Sequence, residues 1–307
     1  MKYPLKLKYV PKTALWGGNT LKSKWGKPCD FEKLAETWEL ACRADAVNTI
    51  QNGEYNEKTL AEYIEENPDS ISSEKFPLLI KFIDAEDKLS LQVHPDDKFA
   101  AEVENDVGKT EMWYIADAKE GAEIIYGMKE GVSEFDPTRI EEQVKRIAVR
   151  KGDCFFIPSG MLHAIGSGCL IAEIQQNSDL TYRVYDYDRR DSEGKLRQLH
   201  TEKALAVIRP FTDDEVNTIR YSSPDKIGIG DCLASCKYFN VNRVNVTDEQ
   251  IITADEVFHS LLCVEGNGEI IYGNESYTIS KGDSYFIPAG LGKYILKGSL
   301  TVLISRT

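Results

Sequence analysis

The 307-residue sequence predicts a mainly β protein made of two related barrels, with α-helices packed on the first barrel. Three observations support this fold class. A thirteen-residue phrase occurs twice, short alternating segments with glycine-rich turns surround both copies, and helical patterns cluster around the first copy. Two related all-β units of this kind are typical of barrels or jelly rolls.

The repeated phrase is KGDCFFIPSGMLH at 151–163 and KGDSYFIPAGLGK at 281–293, with seven of the thirteen positions identical. In each copy the alternation of apolar residues predicts a strand, a turn at KGD and a second strand that ends at Pro-X-Gly. The last position is His163 in the first copy and Lys293 in the second. The two copies therefore share their structural residues and differ in a residue that carries chemistry.

A second shared string, EIIYG, precedes each phrase, at 123–127 and at 269–273. Between the string and the phrase the first copy has 23 residues and the second has seven. The surplus contains FDPTRIEEQVKRI, in which Asp136 is a candidate N-cap and Pro137 suits the first helical position. A helix is therefore predicted in the first copy where the second makes a short turn.

Three other segments also have helical patterns. NEKTLAEYIEEN at 56–67 and HTEKALAVIRP at 200–210 are bounded by proline, and FPLLIKFIDAED at 76–87 has a possible helical start. Serine, proline and glycine concentrate in SSPDKIGIGDC, which is typical of a boundary between domains. We expect residues 1–230 to form a catalytic, metal-binding domain with helical insertions and residues 231–307 to form a degenerate barrel without a metal site.

Composition disfavours several classes of partner. The net charge is −13, which disfavours binding to nucleic acid or to an anionic membrane surface. No apolar stretch is long enough to span a bilayer, and the N-terminus lacks the pattern of a secretory signal. The seven cysteines are scattered without a CxxC pair, which predicts reduced thiols in the cytoplasm. The oligomeric state is left open.

Four residues around the first copy form a candidate metal site. LSLQVHPDD places Gln92 and His94 two positions apart on a predicted strand, so both side chains point to the same face. Glu111 stands at the start of another predicted strand, GKTEMWYI, and His163 ends the repeated phrase. Two imidazoles, a carboxylate and an amide suit zinc or another first-row divalent ion, with one metal expected per chain.

The second copy lacks this set of ligands. Lys293 aligns with His163, Leu303 aligns with Glu173, and no Gln-X-His precedes the second EIIYG. A protonated lysine and a leucine cannot ligate a metal, so the second barrel is predicted to serve packing. Two histidines remain. His200 is expected to be an ordinary surface residue, and His259, in the second copy, is expected to lack partners for a metal site.

Several of these motifs together resemble a known enzyme family. KGDxxFIPxGxxH has the form of the second motif of the cupin superfamily. LSLQVHPDD, GKTEMWYI, IPSGMLHAIGSG and SDLTYRVYDYDR together resemble type I mannose-6-phosphate isomerases in their short bacterial form, and TALWGG and AETWEL are similar to that form too. The resemblance covers nearly the whole chain. It implies a tandem cupin and a zinc-dependent aldose–ketose isomerase that interconverts mannose 6-phosphate and fructose 6-phosphate.

The resemblance also implies roles for individual residues. Phosphate contacts fall on Ser90 and Lys109, and Arg183 matches the catalytic arginine of the family. Glu173 matches a proposed active-site carboxylate and is our candidate for the general base. In ELACRAD, Arg43 departs from the family pattern. The implied metal ligands are Gln92, His94, Glu111 and His163.

Two other functions are compatible with a metal-binding cupin. An iron dioxygenase of this fold uses two histidines and one carboxylate, whereas a fourth ligand at Gln92 and a nearby lysine favour the isomerase. Oxygen consumption would separate these two activities. A non-catalytic sugar-binding cupin is the other alternative, and the presence of all four ligands argues against it.

Overall fold

The computed structural model describes residues 2–190 and 193–307 and shows a mainly β chain, as predicted. The strands are β1 (Leu5–Lys8), β2 (Val10–Lys12), β3 (Glu36–Leu40), β4 (Cys42–Arg43), β5 (Ala46–Val47), β6 (Thr49–Ile50), β7 (Leu78–Ala85), β8 (Leu91–Val93), β9 (Glu111–Ala118), β10 (Glu123–Met128), β11 (Val144–Ala148), β12 (Cys154–Ile157), β13 (His163–Ile165), β14 (Cys169–Gln176), β15 (Tyr182–Tyr185), β16 (Asp231–Ser235), β17 (Asn240–Val246), β18 (Glu249–Ala254), β19 (His259–Tyr272), β20 (Glu275–Ser280), β21 (Ser284–Ile287) and β22 (Gly292–Arg306). The α-helices are α1 (Thr20–Lys24), α2 (Leu60–Glu66), α3 (Asp97–Glu104), α4 (Ile140–Gln143), α5 (Thr201–Val207) and α6 (Asp213–Arg220), and 3-10 turns occupy Gly53–Tyr55 and Pro68–Ser70.

Two antiparallel sheets form the first barrel. One sheet has the order β12-β9-β14-β7-β3-β2, and the other has the order β11-β10-β13-β8-β15. Every residue of β7 and β14 is buried, because one face of this sheet lines the barrel and the other packs in the main apolar core. That core includes Phe258 and Phe286 of the second barrel, so the two barrels share it.

The second barrel is built on one sheet with the order β16-β17-β22-β19-β21-β1-β6, to which β18 and β20 are added. Its strand β1 comes from the N-terminus, where Leu5 lies opposite Phe286 and Leu7 lies opposite Ser284. A segment at the start of the chain thus completes the C-terminal sheet. The limits 1–230 and 231–307 remain a prediction of sequence, and the pairing of β1 with β21 crosses them.

The helical predictions have mixed outcomes. Helices α2 and α5 confirm the patterns at 56–67 and 200–210, and α5 packs on β15 of the first barrel. The helical interpretation of 76–87 is wrong, because this run forms strand β7. An apolar run covered on both faces has no alternation that would separate a strand from a buried helix.

The inserted helix of the first copy is also shorter than predicted. Only Ile140–Gln143 is helical, and the chain then pairs with β10 as strand β11. Asp136 does not cap this helix, since its Oδ1 accepts a hydrogen bond from the backbone N–H of Thr138 at 2.8 Å. The residue at the N-cap position is Arg139.

Both KGD phrases form the predicted turn between strands, and the retained residues explain it. Gly152 and Gly282 have φ values of +93° and +94°, a left-handed conformation that favours glycine. The Oδ2 atoms of Asp153 and Asp283 each accept a backbone N–H from three residues earlier, at 2.9 Å. The turn therefore explains why both copies have glycine and aspartate at these two positions.

The described part of the chain has no helix with the length and hydropathy needed to cross a membrane. All seven cysteines are free thiols.

A buried ion pair offers a test of packing in the main core. Lys27 Nζ lies 2.8 Å from a carboxylate oxygen of Glu39, and the two side chains are 5% and 0% exposed. Lys27→Met leaves the Glu39 carboxylate buried without its partner, so we expect the free energy of unfolding to fall by about 3–5 kcal/mol. Urea denaturation measures this loss. The exposed Lys33→Met is the matched control, and an equal loss there would contradict the prediction.

Candidate metal centre and active site

Three predicted site residues form one row across the sheet that contains β8. Gln92 lies directly opposite His163 on β13 and directly opposite Arg183 on β15. Residues that face each other across antiparallel strands project from the same side of a sheet. The register therefore brings the amide, the imidazole and the guanidinium to one wall of the first barrel.

The opposite wall supplies the carboxylate of Glu111, the first residue of β9. Its oxygens lie 3.3 Å from His94 Nε2 and 3.6 Å from His163 Nε2, and these two nitrogens are 3.1 Å apart. The Gln92 amide nitrogen lies 3.4 Å from His163 Nε2. The structure thus brings the four predicted ligands together, and the two imidazoles and the carboxylate are fully or almost fully buried.

The donor cluster fits a divalent cation. His94 Nδ1 and His163 Nδ1 lie 2.7 Å and 2.8 Å from the backbone carbonyls of Leu180 and Met161. Because a carbonyl only accepts, each Nδ1 carries the proton and each Nε2 presents a lone pair to the cluster. Lys109 Nζ lies 3.0 Å from Glu111 Oε2, but neither oxygen of Glu111 has a described partner in good hydrogen-bond geometry. Two lone pairs and a carboxylate that converge in a buried site are characteristic of metal ligation.

The electrostatics of the cluster favour the ligating protonation states. Burial, and then the nearby positive groups, lower the pKa of both histidines, for His163 to about 3. Burial opposes ionisation of Glu111, but the nearby ammonium of Lys109 favours it, and the pKa of Glu111 is held well below the usual range. Neutral imidazoles and an ionised carboxylate are the forms that bind a metal.

A second carboxylate, Glu173, lies at the centre of β14. It faces Trp113 on β9 and Lys81 on β7. Trp113 Nε1 donates to its Oε2 at 2.9 Å, while Lys81 Nζ and Lys109 Nζ lie 3.8 Å and 3.9 Å from its Oε1. Burial and the charge of Glu111 raise the pKa of Glu173 to about 7. Such a group can gain and lose a proton at neutral pH.

The residues assigned to phosphate by resemblance are buried beside the metal ligands. Lys109 Nζ lies 3.0 Å from Glu111 Oε2, and Ser90 Oγ lies 3.5 Å from Gln92 Oε1. A cavity of about 290 Å³ adjoins them. The predicted site residues that line this cavity are Ser90, Gln92, Lys109, Glu173 and Arg183.

Sequence reasoning missed other charged groups of the same cavity. Lys81 is buried, and its Nζ lies 3.5 Å from Asp179 and 3.6 Å from Glu36. A lysine inside the apolar run FPLLIKFI was an available signal, but the helical interpretation of that run concealed which face Lys81 takes. Arg197 also lines the cavity, and its position in an irregular loop carries no sequence pattern.

The other two histidines lie outside the metal cluster of the described residues. His200 is half-buried at the start of α5, and its Nδ1 accepts the backbone N–H of Arg183 at 3.1 Å. His259 is buried, and its Nδ1 lies 3.0 Å from the hydroxyl oxygen of Tyr294 in the second barrel. Arg43, the departure from the family pattern, donates through Nη1 to the carbonyl of Asn177 at 2.9 Å and lines no part of the cavity.

Comparison with known proteins places this site in a family. Residues 5–130 match the family "Phosphomannose isomerase type I, catalytic domain", and residues 230–307 match "Mannose-6-phosphate isomerase, cupin domain". Mannose-6-phosphate isomerase ManA of Bacillus subtilis (strain 168) is 39% identical over 312 residues, which cover 99% of this chain and 98% of that protein. The chain belongs to the type I phosphomannose isomerase family.

Other members of the phosphomannose isomerase family support this assignment. A mannose-6-phosphate isomerase of Streptococcus mutans is 34% identical over 319 residues, and the match covers 100% of this chain and 99% of that protein. The crystal structure of the mannose 6-phosphate isomerase from Bacillus subtilis superposes with a TM-score of 0.88 over 99% of both chains, at 34% identity. The predicted family and the predicted tandem cupin fold are therefore confirmed.

Proposed function

We propose that the protein is a metal-dependent aldose–ketose isomerase that interconverts mannose 6-phosphate and fructose 6-phosphate. The observation that carries this proposal is the buried cluster of His94, Glu111 and His163 next to a cavity lined with lysines, arginines and carboxylates. The names of the full-length relatives support the same substrate pair.

Zinc is the proposed cation, with one ion per chain. The ligands would be the four residues that converge between the two walls, namely Gln92, His94, Glu111 and His163. When bound, a divalent cation supplies Lewis-acid stabilisation of negative charge that develops on a sugar oxygen. The aligned residues of the second barrel, Lys293 and Leu303, cannot ligate a cation.

Glu173 is the proposed general base. An aldose–ketose isomerisation takes a proton from one of two adjacent carbons and returns it to the other, through an enediolate. Oε2 of Glu173 is oriented by the indole N–H of Trp113, so Oε1 is the oxygen that would carry the proton. Lys81 is a poor competitor, because the carboxylates of Glu36 and Glu173 outweigh its burial and raise its pKa. It stays an ammonium.

Arg183 and the phosphate contacts complete the proposed site. Arg183 projects beside Gln92, and its buried Nε has no hydrogen-bond partner among the described residues. Its guanidinium would stabilise the negative charge of the enediolate. Lys109 and Ser90 would bind the phosphate, which anchors the sugar and orients its reacting carbons.

The test is an assay for formation of fructose 6-phosphate from mannose 6-phosphate, combined with metal analysis and an oxygen electrode. Isomerisation without oxygen uptake is expected. Oxygen uptake without isomerisation would instead favour a cupin dioxygenase. Binding of sugar by metal-loaded protein without any turnover would favour a non-catalytic cupin.

Lys109→Ala is expected to weaken substrate binding about 10- to 100-fold, because it removes a buried charge-assisted contact with phosphate. Metal content should stay unchanged, since Lys109 is not a ligand and its positive charge opposes a cation. The measurements are KM, inhibition by inorganic phosphate and metal analysis. Arg183→Ala should differ by lowering turnover more than affinity, and the exposed Lys119→Ala is the matched control. Parent-like phosphate binding by Lys109→Ala would refute the assignment.

We also propose a cytoplasmic location and the division into a catalytic domain, 1–230, and a degenerate cupin domain, 231–307. Seven free thiols and a phosphorylated metabolite as substrate are both typical of the cytoplasm.

A further inference from the structure

A cluster of one carboxylate and two arginines adjoins the rim of the cavity, and one member, Arg197, lines it. We call these residues, Asp186, Arg189 and Arg197, the Asp186 clamp. The Asp186 side chain is only 5% exposed. It accepts hydrogen bonds from Arg197 Nε at 2.7 Å, from Arg197 Nη2 and from Arg189 Nη2. The clamp therefore holds the loop that follows β15 in a defined place.

The clamp is also attached to the segment that leads into β8. Arg189 Nη1 donates to the backbone carbonyl of Lys88, two residues before Ser90. Arg197 and Ser90 line the same cavity. Through Asp186 and Arg189, the guanidinium of Arg197 is thus held in the wall of the cavity that also contains the hydroxyl that the family resemblance assigns to phosphate.

One edge of the Arg197 guanidinium donates hydrogen bonds to Asp186, and the other edge does not. Nε and Nη2 donate to the carboxylate, whereas Nη1 has no acceptor among the described residues. The side chain is 26% exposed and borders the cavity. A guanidinium held rigidly along one edge is well suited to bind an oxyanion with its remaining donors, because its fork geometry matches phosphate.

The balance of charge also points to this rim. Lys109 has the carboxylate of Glu111 at 3.0 Å, and Lys81 has three carboxylates between 3.5 and 3.8 Å. Arg183 has no carboxylate within ion-pair distance among the described residues, and Arg197 shares Asp186 with Arg189, which also faces Asp87 at 3.7 Å. The least compensated positive charge of the cavity therefore lies at its two arginines.

We propose that Arg197 is a further substrate-binding residue, which contacts the phosphate of the sugar phosphate through Nη1 together with Ser90. Asp186 is its positioning residue. This assignment rests on the proposed function, because it concerns the phosphate of that substrate.

Arg197→Gln tests the phosphate contact. KM for mannose 6-phosphate and the inhibition constant of inorganic phosphate are each expected to rise about 10- to 100-fold, which is the range of a charge-assisted contact of 1.5–3 kcal/mol. Turnover should stay within about threefold of the parent, with unchanged metal content. The matched control is Arg190→Gln, since Arg190 lies in the same loop but is exposed, and its Nη1 donates to the carbonyl of Gly194.

Several outcomes would overturn the assignment. Parent-like inhibition by phosphate in Arg197→Gln would remove Arg197 from the phosphate site. A fall in turnover with unchanged KM would place its action on the reacting carbons instead. If Arg197→Gln unfolds, Arg197→Lys decides, because it keeps the charge but loses the fork, and we expect an intermediate KM. A parent-like KM in that variant would contradict the geometric argument.

A double-mutant cycle tests the positioning role of Asp186. Asp186→Asn is expected to raise KM and the phosphate inhibition constant in the parent, and to have no further effect in the Arg197→Gln background. A purely structural role would weaken binding equally in both backgrounds, and that result would refute the positioning role.

Calorimetry separates failure of this inference from failure of the proposed function. Binding of inorganic phosphate does not require turnover. If the parent binds phosphate but does not isomerise mannose 6-phosphate, and Arg197→Gln binds it weakly, the proposed function fails and Arg197 remains an anion ligand. If the parent isomerises and Arg197→Gln binds phosphate as the parent does, only the assignment of Arg197 fails.

Discussion

Chelation of the bound metal is expected to abolish isomerisation, and added zinc or cobalt is expected to restore it. His94 and His163 present lone pairs that converge 3.1 Å apart beside the buried carboxylate of Glu111. A bound cation would satisfy these three groups and would supply Lewis-acid stabilisation for the proposed reaction. Metal analysis of the purified protein should give one divalent ion per chain.

Substitution of either histidine tests the same site without chelator. His94→Ala and His163→Ala should each lose the metal, and turnover should fall about a thousandfold or more, since several kcal/mol of charge stabilisation disappear. The control is His259→Ala, which lies in the second barrel and should retain the metal. Two tightly bound metals per chain would contradict the interpretation of the second barrel as degenerate.

Glu173→Gln is expected to lower turnover by about 100- to 10,000-fold, the range typical of a lost general base. The amide keeps the shape of the side chain and can still accept the N–H of Trp113, so the affinities for metal and substrate should be retained. The decisive measurement is exchange of hydrogen between C2 of the substrate and solvent. This exchange should be lost together with turnover.

The pH dependence gives a second readout of Glu173. A base acts when ionised, so kcat/KM should rise as the pH rises through the pKa of this carboxyl. Burial places that pKa at about 7, and a cation nearby lowers it, so the acid limb should lie at or below pH 7. The exposed Glu86→Gln is the matched control and should keep the parent profile. Exchange at the parent rate in Glu173→Gln would show that another group is the base.

Local sequence patterns were sufficient for the parts of the site that depend on short spacing. Gln92 and His94 are two residues apart, and strand geometry puts such a pair on one face whatever surrounds it. The KGD turn needs glycine in a left-handed conformation and an aspartate that accepts a nearby N–H, so both copies could be recognised. The loss of His163 from the second copy needed only an alignment of the two phrases.

Local sequence patterns did not predict the features that depend on contacts between distant segments of the chain. Strand β7 was misinterpreted because its environment comes from the core on one side and the barrel interior on the other. Lys81 consequently escaped notice, although it lies opposite Glu173 on the neighbouring strand. The hydrogen bonds of His200 and His259 were also beyond local patterns, since their partners are 17 and 35 residues away.

The sequence by itself determined the fold class, the duplicated unit, the family and the four residues that converge on the candidate metal site. These depend on the chemistry of single residues and on spacings within one strand or turn. Only the tertiary structure decided that β1 completes the C-terminal sheet, that Lys81 and Arg197 enter the cavity, and that burial brings the pKa of Glu173 near neutrality. Strand pairing, desolvation and charge compensation arise from neighbours far away in the chain, and no local pattern encodes which neighbours these are.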